Sequence, residues 1–540
     1  MSTTDVCDDA EKFASAQHDR RLTYAEGTNT GGGQRLQQST LISEGLDSRA
    51  TSTDVTILDW DGPNDPSNPF NWSRTRKWLV TGAALMSTLL VQLNGTSITV
   101  AAQELNAQFH VVDTAQFSNS YWAVTSWSIG GACFILTGLP VMEDTGVRTG
   151  FLITYIFFFL MIIPQAVAQN YATLIVTRFL SGGASSLLAN TISSVIPDIW
   201  ATEVSRSIPV GLYILMYNWS STLGPVIFAP VVQYLGDWRW IFYIQLIVYG
   251  ALFPVFWLLL KETRGAVILR RKATSIRNAT GKPLYTKDEL DAAPQVRTLL
   301  RSIARPAYLL ITEPILFAIT LWSAFSFGTV FLFTQSTAQV FSSLYGWKEY
   351  STGYILGAVA IGELLGFSTT FMSVRFYVDS ATRNQESPGQ PIPEARLYVS
   401  VVSALVGTTG GMFVYAWTSY PSLPWIAPAI GLAMVGFGIQ AVVTAACDYC
   451  ADAYAASGYA GSAISAVAAG ENIIAGFLPL AAASMYTNLG FQWASTLLAF
   501  LALLLTLAPV VFIWKGQELR RRSPFMSSGG QLAGAAAIVA

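Results

Sequence analysis

KETRGAVILRRKATSIRNATGKPLYTKDELDAAPQVRTLLRSIARP, residues 261–306, is the one long polar break in a run of apolar segments that otherwise extends from Lys77 to Trp514. Basic residues recur through it, from Arg264, Arg270, Arg271 and Lys272 to Arg297, Arg301 and Arg305. Six apolar segments precede it and six follow. A basic loop of this kind is held on the cytoplasmic side during membrane insertion. It therefore fixes the orientation of both halves and divides the chain into two similar bundles.

Working outward, the composition agrees. Of 540 residues 52% are hydrophobic and only 12% charged, and mean hydropathy is +0.43. Soluble domains carry roughly 25% charged residues, so the chain reads as an all-α membrane protein with many spans. A net charge of -2 gives no basic field for nucleic acid. Cys447 and Cys450 form a C-x-x-C, but one such pair cannot close a tetrahedral zinc site. It reads as two small residues at a helix end facing a reducing cytosol. The two histidines, His18 and His110, form no metal pair. There is no phosphate-binding G-x-x-x-x-G-K-[ST] loop. Neither an enzyme nor a cofactor is expected.

Spans are expected to begin near Trp78, Asn119, Thr149, Tyr171, Ser207, Ile241, Tyr308, Thr352, Leu397, Trp425, Gly461 and Gln492, giving twelve transmembrane helices in two six-helix bundles. Basic residues gather on the loops that would be cytoplasmic, including Arg148, Arg206, Arg375, Arg396 and Arg520 to Arg522, while the outer loops offer Arg239 and Lys348. Both termini are thus expected in the cytosol. The organisation reads as a cytosolic tail with a pre-membrane elbow at 1–73, a bundle at 74–260, a cytosolic central loop at 261–307, a bundle at 308–514 and a cytosolic tail at 515–540. The polar residues up to about Asp59 read as disordered. The proline-rich LDWDGPNDPSNPFNWS, residues 58–73, reads as an interfacial elbow. Two joined six-span halves fit a parallel-repeat transporter whose site lies at mid-depth between them.

Short motifs then narrow the class. DPSNPFNW (65–72), RFLSGG (178–183), DWRW (237–240), KETR (261–264), TEP (312–314), PEAR (393–396) and SPFM (523–526) appear in this order. Together, over residues 58–526, they resemble the twelve-span drug:proton antiporter branch of the fungal major facilitator superfamily, whose members export drugs, polyamines and secondary metabolites. The resemblance implies the major facilitator fold and a monomeric plasma-membrane pump that exchanges small organic molecules for protons. GLPVMEDTGVR after span two resembles the superfamily's gating signature through Glu143, Gly146 and Arg148, with Leu139 and Val147 departing from it. Gly224, Pro225 and Pro230 match part of an antiporter signature in span five, where Ala229, Gln233 and Tyr234 depart. Asp448, Asp452 and Tyr454, with Tyr449, resemble a family loop anchor. Glu471 stands where many relatives have arginine.

Ionisable residues at membrane depth are functional candidates by default. Arg178 cannot lose its proton; it would bias a neighbouring carboxylate or hold an anionic substrate, and by resemblance it matches an arginine linked to proton coupling. Its bland reading is a structural pair. Glu363 and Glu471 fall mid-span in the second half. Burial disfavours the charged form of a carboxyl, so each would hold a proton or a cationic substrate in its place; the competing reading is a permanently protonated, hydrogen-bonded acid. Gln92, Asn94, Asn190, Tyr213, Tyr217 and Asn218 are expected to line the substrate cavity, or else to bond helix to helix. Tyr213 and Tyr217 share one helix face. Glu143, Gly146, Arg148 and Asp198 are candidates for an inner gate, with Arg148 paired to Asp198. Gly224, Pro225 and Pro230 mark a soft point in span five. Amphipathic drugs or secondary metabolites, polyamines and organic anions remain open as cargo. A non-transporting membrane sensor is the alternative of another class.

Overall fold

The computed structural model describes residues 56–114, 118–290, 295–386 and 388–526; for Thr56, Glu143, Asp144, Glu349 and residues 295–301 it describes the backbone alone. Before the polar break lie α1 (Arg74–Thr96), α2 (Trp122–Thr145), α3 (Val147–Ala166), α4 (Tyr171–Ile199), α5 (Glu203–Leu235) and α6 (Arg239–Leu259). After it come α7 (Pro314–Tyr345), α8 (Glu349–Ser380), α9 (Pro393–Thr418), α10 (Ile426–Ala453), α11 (Ala460–Leu489) and α12 (Phe491–Arg522). Among the described residues eleven segments are long and apolar enough to cross a membrane. The one outside that set is α5. It is 33 residues long, ample for a span, but carries a row of buried polar side chains from Ser207 to Thr222. It lies between α1, α6 and α8, where polar groups meet protein instead of lipid.

Within each bundle the enclosed helices are α1 and α7, and large apolar side chains of α3, α6 and α12 (Ile153, Leu160, Ile247, Leu258, Leu504) point outward. An outward apolar face is what a lipid-bathed helix requires. The bundles meet along two seams, α2 against α11 and α5 against α8. In the second bundle α8 and α10 cross with backbones nearly touching. A Cβ on Gly362 would strike the Ala433 carbonyl, and one on Gly436 the Val359 carbonyl. Small residues at such crossings gain helix-to-helix packing that lipid cannot supply.

One end of the molecule carries Arg74, Arg148, Arg206, Arg264, Arg396 and Arg520 at its helix ends; it is called the basic end here. The polar break is built there, not loose. It holds a helix, Gly265–Thr280, and a short strand, Leu284–Tyr285, pairing in parallel with Thr56–Ile57. The tail read as disordered is thus ordered at these two residues, because the strand of the central segment supplies a backbone partner; residues 1–55 lie outside the described residues. Lys272 joins Asp61 at 2.5 Å and Asp65 at 3.7 Å. Asp65 also accepts from the backbone N–H groups of Asp61 (3.1 Å) and Ser67 (2.8 Å), which hold its carboxyl below the usual range. The elbow is therefore clamped to the central segment.

Span seven begins later than expected. A separate helix, Gln295–Thr312, precedes it, and the chain breaks at Glu313 because the residue before a proline is pushed out of the helical region. Ser523 Oγ donates to Glu313 (2.9 and 2.8 Å to its two oxygens) and accepts from the Phe525 and Met526 N–H groups. SPFM is thereby folded back against the start of α7.

Gly436→Val would separate α8 from α10. It is expected to destabilise the protein by about 3 kcal/mol or to abolish folding, read as a lower melting temperature or loss of the monodisperse peak in detergent.

Candidate functional site

Contacts of α5 with α8 and α10 join the bundles at three depths, and α2 meets α11 at the end opposite the basic one. At mid-depth on the α5/α8 seam, Thr222 Oγ1 donates to the Glu363 carboxyl, 2.9 and 3.1 Å from its oxygens. One turn away, Trp219 Nε1 donates to the Ala360 carbonyl at 2.9 Å. Asn218 Nδ2 donates to Gln440 Oε1 of α10 at 2.9 Å, and Gln440 returns a bond to the Gly211 carbonyl at 3.3 Å. Glu363 is fully buried.

Glu471 sits nearer the middle of the molecule. Ser323 Oγ of α7 donates to it at 2.5 Å, and the next residue, Asn472, meets Tyr217 of α5. Tyr217 stacks on Phe327 with ring centres 5.1 Å apart. Its hydroxyl receives the Asn472 amide at 3.3 Å and engages Gln92. Tyr213 donates to Asn190 Oδ1 at 3.1 Å. Among the described residues no cation lies within ion-pair distance of Glu363 or Glu471.

At the basic end the closure is ionic. Arg396 of α9, 1% exposed, reaches Asp452 (2.9 Å) and Asp448 (3.5 Å) of α10 and donates to Ser207 of α5 at 3.0 Å. Its guanidinium lies 3.6 Å from the Tyr377 ring centre. From the first bundle Arg206 meets Asp452 at 2.8 Å, and Tyr377 donates to Glu203 at 2.5 Å. A Thr202–Ser205 capping box starts α5 and sets the direction of Glu203, Arg206 and Ser207.

At the opposite end the contacts between the bundles are neutral among the described residues. Tyr121 donates to the Phe331 carbonyl at 2.9 Å and shares a 2.7 Å bond with Thr334. Ser118 N–H donates to the Leu480 carbonyl at 3.2 Å, and Gln335 Nε2 to Ser118 Oγ at 2.7 Å. On the α5/α8 seam Tyr354 donates to Gln233 at 3.1 Å.

Comparisons with known proteins agree with this two-bundle helical fold. The Major Facilitator Superfamily model matches residues 82–467. The chain belongs to the Major Facilitator Superfamily. It is similar to the transporter paaT of Penicillium rubens, 31% identical over 469 residues, 86% of this chain and 83% of that one. It is similar to the efflux pump radE of Floropilus chiversii, 30% identical over 484 residues, 89% and 88% of the two chains. Among solved structures the proton:xylose symporter XylE bound to 6-bromo-6-deoxy-D-glucose aligns with a TM-score of 0.59 at 15% identity, over 82% of this chain and 96% of that one. As a superfamily member the protein is a multi-span membrane transporter of small molecules, not an enzyme.

Within this superfamily fold the expected residues divide. Gln92, Asn190, Tyr213, Tyr217, Asn218, Glu363 and Glu471 lie at or beside the seams, all at most 5% exposed. Asn94 does not. It faces α6, where its amide donates to Gln245 at 2.8 Å, so it stabilises the first bundle internally. Arg178 has no carboxylate within ion-pair reach among the described residues. Its Nε donates to the Ala123 carbonyl (2.8 Å), Nη1 to that of Asn94 (2.7 Å) and Nη2 to that of Gly95. Backbone carbonyls, not an acid or an anion, balance this cation.

Of the expected inner gate, the pairing of Arg148 with Asp198 is replaced by other partners. Arg148 donates to the Trp257 carbonyl at 3.3 Å, while Asp198 takes Arg264 of KETR at 3.3 Å. Glu262 accepts from Val147 N–H at 3.0 Å beside Gly146, whose φ of 105° needs glycine. These contacts tie the first bundle to the central segment. The Glu143 side chain lies outside the described residues. Gly224, Pro225 and Pro230 leave α5 helical throughout. Pro225 lacks the N–H that would bond the Ser221 carbonyl, and Thr96 Oγ1 of α1 supplies it at 2.6 Å. The soft point is thus a fixed crossing of α1 and α5.

Sequence reasoning missed Gln440, Asn472, Ser323 and Thr222, and it read Asp448 and Asp452 only as a loop anchor. Gln440 and Asn472 carried the same signal as Gln92: an amide within an apolar span.

Asp452→Asn leaves Arg396 and Arg206 short of a partner, and removing one member of a buried ionic cluster costs about 3 kcal/mol. With the other three cysteines replaced, Cys447 should react at least about ten-fold faster with an impermeant thiol reagent applied at the basic end. An unchanged rate would show that the cluster does not hold this end shut.

Proposed function

We propose that the protein exports small organic molecules, drugs or fungal secondary metabolites, by exchange for protons. The carrying observation is the pair of buried carboxyls, Glu363 and Glu471, each at a seam between the bundles and each held by a single hydroxyl with no cation opposite. An acid without a cationic partner in an apolar seam is stabilised by a proton or by a cationic group of the cargo. Opening a seam to water changes that balance. Proton binding is then tied to which end is open, with no further machinery. The naming of radE as an efflux pump supports the outward direction.

In this reading residues 74–260 and 308–514 move as two units joined by residues 261–307. The basic end faces the cytosol and both termini lie there, in agreement with the distribution of basic residues. The protein acts in the plasma membrane as a monomer. Glu471, beside Tyr213, Tyr217 and Phe327, is the acid that cargo reaches. Gln92, Asn190 and Asn218 orient it. Glu363, sealed against Thr222, responds to the α5/α8 seam. Organic anions are disfavoured as cargo, since the carbonyls of α1 and α2 engage Arg178.

The test is proton flux in vesicles on addition of cationic, neutral and anionic compounds. At least one compound should collapse an imposed pH gradient. Glu363→Gln and Glu471→Gln should each leave surface delivery intact and lower coupled flux to below about a tenth of wild type. Full flux in both variants across external pH would reject proton exchange through these acids, and absence of flux with every compound would favour a sensor.

A further inference from the structure

The segment Ser118–Ala123, at the start of α2, makes contacts in two directions. Toward the second bundle it presents the Tyr121 hydroxyl, the Ser118 N–H and the Ser118 hydroxyl to α7 and α11. Toward its own bundle Ser120 donates to Asp113 through its N–H (2.8 Å) and hydroxyl (3.1 Å), the Asn119 amide donates to the Val112 carbonyl (2.9 Å), and three carbonyls face α4. Tyr171 of α4 donates to those of Asn119 (2.9 Å) and Ser120 (3.1 Å), and Arg178 of α4 donates to that of Ala123. The same guanidinium caps Asn94 and Gly95, whose carbonyls are freed where α1 passes from α-helix into the tighter turn Ser97–Ala101. On the partner side, α11 is broken at Leu478–Ala481 by Pro479, which is where Ser118 attaches.

We propose that Ser118–Ala123 is the gate at the end opposite the basic one, and that Arg178 is its positioning residue. Arg178 acts through backbone: it fixes the Ala123 carbonyl against α1, and this sets the reach of Tyr121, two residues earlier, to Thr334 and Phe331. The gate closes by neutral hydrogen bonds to α7 and to the break in α11, so it releases without separating charges. Arg178 therefore serves transport without touching cargo or exchanging a proton. The inference rests on the superfamily fold and the closed seam, and on no identity of the cargo.

The experiment measures labelling of a Ser128→Cys reporter, in α2 beside Gly476 of the α2/α11 seam, in a background with the four native cysteines replaced. An impermeant thiol reagent is applied from each side separately, without any transported compound. Tyr121→Phe removes one gate bond, and labelling from the end opposite the basic one is expected to rise about five-fold. Gln335→Leu should do the same. Arg178→Lys keeps the charge but cannot span three carbonyls, and should raise labelling from the same side. Were Tyr121→Phe and Gln335→Leu to leave labelling at the wild-type rate, or raise it only from the basic end, the gate would be overturned. Were Arg178→Lys to fold, label as wild type and lose proton flux, Arg178 would be a coupling residue and not a positioning one. Labelling needs no cargo or proton gradient, so failure of the export reading leaves this test readable.

Discussion

The carbonyls released where α1 stops being regular, at Asn94 and Gly95, are the point on which the first bundle depends. In lipid a freed carbonyl has no water to turn to, and the fold answers with a guanidinium from α4. The cost of burying that cation is met by the carbonyl oxygens themselves, held close enough to act as its counter-charge. Trp127 packs against Gly95, where a Cβ would come within 3.0 Å of its ring, so a larger residue at this break would have to displace the buried indole. One residue on, Thr96 caps the carbonyl that Pro225 leaves open in α5. Two helix breaks in different spans thus complete each other, and α5 is held where its polar row faces α8 and α10.

From that fixed crossing the chemistry of the two ends diverges. The basic end is shut by charge: Arg396, Arg206, Asp448 and Asp452 form a cluster spanning three helices and both bundles. Such a cluster is costly to break halfway, because a stranded charge near lipid has no solvent to accept it. It favours two states, joined or fully hydrated. The other end is shut by hydroxyls, amides and carbonyls, each contributing about 1 kcal/mol net, and such bonds can be released singly. On the proposed export reading, the neutral end is the one that opens with the smaller loss of contacts.

Span order was legible because hydropathy runs of about 20 residues mark a span, except at α5, whose polar row keeps it outside the apolar set, and most span starts fall within a few residues of expectation. The exceptions have local causes. Span seven starts at Pro314 because Glu313 breaks the helix, and the apolar stretch from Tyr308 belongs to a preceding amphipathic helix. The acids Glu363 and Glu471 were visible as charges inside apolar runs. Their neighbours were not, since contacts such as Thr222 to Glu363 and Ser323 to Glu471 join residues 141 and 148 positions apart. Arg178 was found for the right reason, charge at depth, but was given the wrong kind of partner. Backbone carbonyls are the same in every residue, so no sequence pattern announces that they are free. The gate at the basic end was sought in the loop after span two by resemblance. Among the described residues the ion pairs joining the bundles there begin α5 and end α10, where cations and acids look like ordinary loop charges until the fold brings Arg396 among them.

The two acids are not equivalent, and the difference follows from the seams they occupy. Glu363 faces a helix of the other bundle, and its one donor, Thr222, moves with that bundle. Any rocking of α5 against α8 changes its surroundings at once. Glu471 faces a helix of its own bundle, and Ser323 moves with it, so rocking alone leaves its hydrogen bond intact. What changes around Glu471 is the aromatic wall, because Tyr213 and Tyr217 belong to α5 while Phe327 belongs to α7. On the proposed export reading, separating the bundles would unstack Tyr217 from Phe327 and open a slot bordered by rings, the Asn472 amide and one acid, where a flat cargo would take over the lost stacking. In the arrangement proposed here, the conformational response and the contact with cargo are therefore divided between Glu363 and Glu471, and α5, which touches both, is the element that links them.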